Sequence, residues 1–264
     1  MLQVLLRGGG DLASGIGYRL HKAGIGVVIT ELPHPMAVRR LVSFSEAVYD
    51  GSKVVEGIAA RLIREAGEIQ ARLDVGEISV LVDPEARILY NAAIRFDVLI
   101  DARLTKRQPD LGMDSAPLVI GIGPGFIAGQ NCHAAVETQR GHTLGRVYWD
   151  GATMADTATP EGDPRRVLRS PCNGIITNRV QIGERVQAGQ VVADIDNQPV
   201  VSPLAGMLRG LIRSGLEVKA GAKVGDVDVR DNPAWCDMIS DKSLAIGGGV
   251  LEAILSHPPS RMKI

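Results

Sequence analysis

Along the first hundred or so residues, short apolar runs alternate with longer stretches of helical period. Strands are predicted at Val4 to Leu6, Val27 to Thr30, Ile78 to Val82 and Val98 to Ile100, since short β-branched and leucine-rich runs bounded by glycine or charge suit buried parallel strands. Between the first two, Leu12 to Ala23 carries apolar residues at helical spacing and ends at Gly24, a natural left-handed cap. Ser43-Phe44-Ser45-Glu46 matches a capping box, and Pro84-Glu85 offers proline for a first helical turn. Leu118 to Gly121 adds a strand that runs into a second glycine-rich loop. Strand and helix in alternation predict a parallel sheet with crossover helices, the α/β class.

The pattern changes after a stretch of linker composition, Thr159 to Arg169, which includes Pro160, Gly162, Asp163 and Pro164. Ser170-Pro171-Cys172-Asn173-Gly174 recurs as Ser202-Pro203-Leu204-Ala205-Gly206, and the same offset of 32 residues (170 to 202) aligns Gly183 with Gly215, Val186 with Val218, Gly189 with Gly221 and Asp194 with Asp226. Two copies of a short-stranded unit are expected to pack face to face as a quasi-symmetric β-sandwich. From Asp231 to Ile264 the pattern is helical again, with Ser240 or Asp241 as cap and Ala245 to Leu255 as body, a tail expected to pack back on the first domain. Within it Gly247-Gly248-Gly249 is costly, about 1 kcal/mol per glycine against alanine, unless another backbone or a ligand approaches closely. The expected partition is 1–165, 166–230 and 231–264.

Composition narrows the function classes. The 264 residues are 45% hydrophobic and 22% charged, with a net charge of -1 from 29 basic and 30 acidic residues and no basic run. No nucleic-acid partner is therefore expected. The apolar start reaches Gly8 too soon for a signal-peptide core or a membrane span. Cys132, Cys172 and Cys236 are far apart and odd in number, which fits neither a disulfide framework nor a CxxC zinc site and points to a reducing cytoplasm. No metal site is expected.

Two loops could carry chemistry. Gly8-Gly9-Gly10-Asp11-Leu12-Ala13 fits G-x-G-x-x-A between a strand and a helix, where glycines let backbone N–H groups and the helix N-terminus reach a phosphate. Glu31, past the second strand, stands where such domains place an acid for a ribose hydroxyl. Asp11 works against an anion unless it is engaged elsewhere. The second loop holds Gly121, Gly123 and Gly125 and is expected to face the first across one cleft. Asp101, Arg103, Lys106 and Arg107 follow a third strand and would bring cations to the same edge. Beyond the second loop lie Cys132, Glu137, Arg140 and His142. Arg140, His133 or His142 could lower the Cys132 thiol pKa. Glu137 and His142 could act as general base and acid, or join Cys132 as soft-metal ligands, and spacing does not choose.

The repeated phrases resemble biotinyl and lipoyl domains over about 60 residues. In those carriers a lysine at the hairpin between the halves bears the cofactor, whereas here the junction reads Asp194-Ile195-Asp196-Asn197-Gln198-Pro199-Val200, so neither biotin nor lipoate is expected. The phrases Arg7-Gly8-Gly9-Gly10-Asp11-Leu12-Ala13-Ser14-Gly15, Asp101-Ala102-Arg103, Val136-Glu137-Thr138-Gln139-Arg140-Gly141-His142 and Ala245-Ile246-Gly247-Gly248-Gly249-Val250-Leu251-Glu252 resemble the YqeB family, which is associated with selenium-dependent molybdenum hydroxylases. The first domain is also similar to the Rossmann part of XdhC-type factors, which handle the molybdenum cofactor.

The expected fold is thus a Rossmann-like parallel-sheet domain plus a small all-β biotinyl/lipoyl-like barrel-sandwich module. The resemblance implies an accessory or maturation factor for a molybdenum hydroxylase, with that enzyme's subunits as partners and a nucleotide or the molybdenum-pterin cofactor as ligand. Gly8, Gly9, Gly10, Ala13, Gly121, Gly123 and Gly125 would bind it, with Glu31 on a ribose or pterin hydroxyl. Asp101, Arg103, Lys106 and Arg140 would line the anionic end, and Cys132 would handle sulfur or selenium. An NAD(P)-dependent oxidoreductase and a non-catalytic scaffold whose β module recruits a partner are the alternatives, and a homo-oligomer is left open.

Overall fold

The computed structural model describes residues 2–105, 108–157 and 162–257. They cluster into two compact units. The first comprises the described residues up to Pro35, Phe44–Thr157 and those from Ile239 on; the second comprises Met36–Ser43 and the described residues from 162 to Met238.

The first unit is built on a nine-stranded sheet. Its inner strands are β1 (Gln3–Arg7), β2 (Gly26–Glu31), β5 (Ile78–Val82), β6 (Val98–Asp101) and β7 (Leu118–Ile122), and the outer ones are β3 (Ser52–Val55), β4 (Ile58–Ile63), β9 (Ala134–Val136) and β10 (Val147–Tyr148). The order is β10-β9-β7-β6-β1-β2-β5-β4-β3. From β9 to β4 every neighbouring pair is parallel, but β3 pairs β4 and β10 pairs β9 antiparallel. A further pair, β8 (Ile127–Ala128) with β11 (Gly151–Ala152), is also antiparallel. The expected all-parallel Rossmann-like sheet is therefore corrected to a mixed sheet. The cause at one edge is local: Glu56 and Gly57 both have positive φ, the two-residue hairpin geometry that returns the chain beside itself.

The crossovers also differ from expectation. Among the described residues only α1 (Asp11–Lys22) is a full helix between strands; α2 (Ala47–Asp50) and α3 (Ile69–Asp74) are single turns or little more. The capping box at Ser43 to Glu46 does not form: Phe44–Glu46 is a 3-10 turn, and Glu46 stands at the N-cap of α2 without its side chain capping the helix. Pro84-Glu85 likewise starts no α-helix, and a 3-10 turn follows at Arg87–Tyr90. The C-terminal helix α4 (Asp241–Ser256) is capped by Ser240, whose hydroxyl accepts from the Ser243 N–H. It packs on α1 through glycine. A Cβ on Gly247 would lie 2.7 Å from the Gly15 carbonyl oxygen, and one on Gly249 only 2.1 Å from that of Gly145. Close backbone approach thus accounts for two of the three consecutive glycines.

The second unit holds two four-stranded antiparallel sheets. Its strands are β12 (Val167–Arg169), β13 (Gly174–Asn178), β14 (Arg185–Val186), β15 (Val191–Ile195), β16 (Gln198–Val201), β17 (Gly206–Leu211), β18 (Glu217–Val218) and β19 (Lys223–Asp228). The sheet orders are β12-β19-β17-β14 and β16-β15-β13-β18. Each sheet therefore mixes both sequence copies, instead of one copy per layer as the repeat suggested. Matching bonds recur in the two halves: the Ser170 and Ser202 hydroxyls donate to the Cys172 and Leu204 carbonyls at 2.6 and 2.7 Å. The biotinyl/lipoyl-like fold label is replaced by this description, a pair of sheets whose strands are exchanged between the copies. Among the described residues no helix is long and apolar enough to cross a membrane.

Candidate functional site

Parallel strands deliver their carboxyl ends to one edge of the first unit, where the loops after β1, β2, β5, β6 and β7 meet. Gly8 takes φ +93 and its N–H donates to the Thr30 carbonyl at 2.8 Å, so this position needs glycine. Gly9 is pressed under the 3-10 turn: a Cβ there would come within 2.9 Å of the Ser45 nitrogen, whose N–H donates to the Gly9 carbonyl. Gly10 differs from both. It is the N-cap of α1 in extended conformation, φ -71 and ψ -173, with no side-chain cap, and a Cβ there would meet nothing within 4 Å. The N-terminal amides of a helix of this kind attract anions. Ala13 is buried in the first turn, and Asp11 accepts a 3.0 Å hydrogen bond from the Ser243 hydroxyl on α4.

Glu31 lies beside this loop but is already engaged, accepting from the Gly9 and Leu32 N–H groups at 2.7 Å each. Burial pushes its carboxyl pKa up, against the lowering by those two donors.

A four-residue ion cluster stands next to the loop. Arg7, the last residue of β1, is fully buried, and its guanidinium donates to the Asp110 carboxylate at 2.6 and 3.1 Å and to the Pro84 carbonyl at 3.0 Å. Asp101 is 3.5 Å away. Arg103 donates to Asp101 at 2.6 Å and to Asp110 at 2.7 Å. Burial works against its charge, but hydrogen bonds to the two carboxylates raise its pKa on balance. The hydrogen bond from Arg7 leads the causes that hold Asp110 well below the usual carboxylate range, with Arg103 adding to it. Lys106 and Arg107 lie outside the described residues.

The second glycine loop is shaped from within. A Cβ on Gly121 would collide with the Phe126 ring at 2.0 Å, and one on Gly123, at φ +77, with the Thr138 hydroxyl at 2.7 Å. Gly125, at φ +101, is exposed, and its carbonyl accepts from the Asn131 amide. Sheet order puts β6 between β1 and β7. The two glycine loops accordingly flank the segment 101–104, with Arg103 against Gly8 and Leu104 against Gly123.

The residues expected to perform chemistry do not assemble. Cys132 is fully buried in an apolar cluster with Ala128, Ala135, Leu99 and Val119, and burial pushes its thiol up to about 11. The expected thiolate is thus corrected in direction, because apolar neighbours surround the sulfur. Of the groups proposed to lower its pKa, Arg140 pairs with Asp241 and His133 accepts from the Val119 N–H. Glu137 is buried and accepts from the backbone N–H groups of Thr138, Gln139 and Met154 at 2.6 to 2.7 Å, which makes it an organiser of its own loop rather than a general base. His142 is exposed in the following turn. Among the described residues no group of three His, Cys, Asp or Glu side chains is placed to hold a metal ion.

Sequence reasoning missed Arg7 and Asp110. An arginine ending an otherwise apolar strand just before the glycine run was the available signal for the first. The second had none, because its bidentate partner Arg7 is 103 positions away and nothing in the sequence marks its pairing with Arg103, seven positions before it. A depression of about 470 Å³ lies elsewhere, at the amino edge of the strands, lined by residues that include Gln3, Gln70, Arg95 and Asp97.

No family model matches the chain. Solved structures similar to it include an aspartoacylase family protein from Mesorhizobium loti, at 10% identity and TM-score 0.26 with 86% of this chain and 84% of that one covered. The apo ectoine utilization protein EutE (DoeB) from Ruegeria pomeroyi gives 12% identity and TM-score 0.25 with 86% of each covered. Likeness at that level says nothing about this site. The curated protein YqeB of Escherichia coli strain K12, itself described as uncharacterized, is 42% identical over 256 residues, which is 96% of this chain and 47% of that protein. That identity over nearly the whole chain supports placing it with the YqeB family, of whose named member it spans about half the length.

Proposed function

We propose that this chain binds a phosphate-bearing small molecule, a nucleotide or the molybdenum-pterin cofactor, at the carboxyl edge of its parallel strands, as an accessory or maturation factor for a molybdenum hydroxylase. One observation carries the binding reading: the open, uncapped Gly10 at the start of α1, one loop away from two arginines. Backbone amides would hold the anionic end, with Arg103 beside them, a combination suited to phosphate. Asp11 opposes this less than the sequence suggested, since Ser243 donates to its carboxylate. Glu31 positions the loop through Gly9. Buried Cys132 takes no part, and handling of sulfur or selenium by this residue drops out of the reading. The hydroxylase partner comes from the resemblance to the YqeB family.

Native mass spectrometry of protein purified from a molybdenum-replete host tests the reading. A bound nucleotide or pterin mass, lost in Gly10→Val, is the expected result. Protein that comes through without any such mass, and gains none when nucleotide is added, contradicts it.

A further inference from the structure

The ion cluster sets an exposed carboxylate, Asp110, against a buried guanidinium, Arg7. Arg103 directs most of its fork at Asp101, with contacts of 2.6, 3.0 and 3.2 Å. Arg7 is left with Asp101 at 3.5 Å, and its bidentate partner is Asp110. The two differ sharply in exposure. The Arg7 side chain is 1% exposed and the Asp110 side chain 54%. A guanidinium at the floor of the edge is therefore capped by the solvent-facing carboxylate of Asp110. Among the described residues the cluster sets two cations, Arg7 and Arg103, against two anions, Asp101 and Asp110. Removing Asp110 leaves one excess positive charge beside a desolvated arginine, a state that strongly demands another anion. The Arg7 Nε is buried and has no hydrogen-bond partner among the described residues. Position ties the cluster to the glycine loop, since a Cβ on Gly8 would lie 3.5 Å from both Cα and Cγ of Arg103.

We infer that Arg7 and Arg103 form a two-guanidinium phosphate cradle that Asp110 fills in the ligand-free chain and that a phosphate group fills by displacing it. This rests on the proposed binding of a phosphate-bearing molecule at the same edge and adds the residues that take its charge. A phosphate offers more acceptor oxygens than a carboxylate and up to two negative charges, so it can engage both forks at once. Asp110 protects the buried arginine when no ligand is present and competes with ligand when one is. No bond is made or broken in the exchange.

Titration calorimetry with inorganic pyrophosphate tests it on the full chain, in the parent, Asp110→Ala and Asp110→Asn. Removing the competing charge-assisted bonds should tighten binding by about ten-fold or more in Asp110→Ala. Asp110→Asn keeps an acceptor for Arg7 but no charge, so it preserves the fold and should also bind tighter than the parent. Pyrophosphate should raise the melting temperature of either variant by more than that of the parent. Acetate should show a weaker gain in the same series, which separates phosphate from carboxylate ligands. If neither variant binds tighter while Gly10→Val still abolishes binding in the parent, the cradle is wrong and the proposed function stands. If neither the parent nor either variant binds, both fall.

Discussion

Packing of α4 on its neighbours predicts opposite effects for the same substitution at adjacent positions. Alanine in a helix interior is worth about 1 kcal/mol over glycine. At Gly248 nothing lies within 4 Å of a new Cβ, so Gly248→Ala should gain roughly that amount in full. At Gly249 the Cβ would stand 2.1 Å from the Gly145 carbonyl oxygen and 3.0 Å from a Val136 methyl. A backbone carbonyl cannot rotate aside as a side chain can, so overpacking falls at the upper end of about 1–3 kcal/mol. Against the propensity gain, Gly249→Ala should lose about 1–2 kcal/mol net. For a folding unit of this size each kcal/mol moves Tm by about 2–4 °C. Differential scanning calorimetry should thus find the transition of the first unit raised in Gly248→Ala and lowered in Gly249→Ala. Two variants that shift Tm in the same direction would refute the claimed backbone contact.

Two other outcomes follow from the edge and the core. Burial raises the Glu31 pKa above its ordinary 4.5, so the folded state holds that proton to higher pH than the unfolded chain and loses stability as pH rises from about 4.5 through the raised value. Urea midpoints measured across that window should fall less in Glu31→Gln, which cannot ionise; an unchanged pH slope would count against a buried carboxyl at Gly9. For the thiols, iodoacetamide on native protein should label half-buried Cys172 first and leave buried Cys132 and Cys236 until denaturant is added, and early labelling of Cys132 would restore it as a reactive group.

How much of this was legible depends on where each element sits. The inner strands β1, β2, β5, β6 and β7 are continuous apolar runs, because both faces are covered, and they stand out in the sequence. The edge strands do not: β3 and β4 carry Lys53, exposed Val54 and Arg61, and β8, β10 and β11 are two residues each, too short for any period. That is why a parallel sheet was expected and a mixed one found. Among the site residues, the glycine loop could be read because it depends on chain neighbours. Cys132 was misread because sequence proximity to Arg140 and His142 does not translate into contact; Arg140 instead reaches Asp241, 101 positions on.

Binding of an anion at the start of α1 is read residue by residue in an amide resonance titration. Gly10 has negative φ and open space around its Cβ, so Gly10→Val should keep a dispersed, native spectrum while its branched side chain blocks the approach to the helix amides. Adding ADP or pyrophosphate to the parent should shift the amides of Gly10, Asp11, Leu12 and Ala13 and of Arg103, and should leave the Gly10→Val spectrum unmoved. Shifts that persist in Gly10→Val, or that cluster instead around Gln3, Gln70 and Arg95 at the amino edge, would contradict the account.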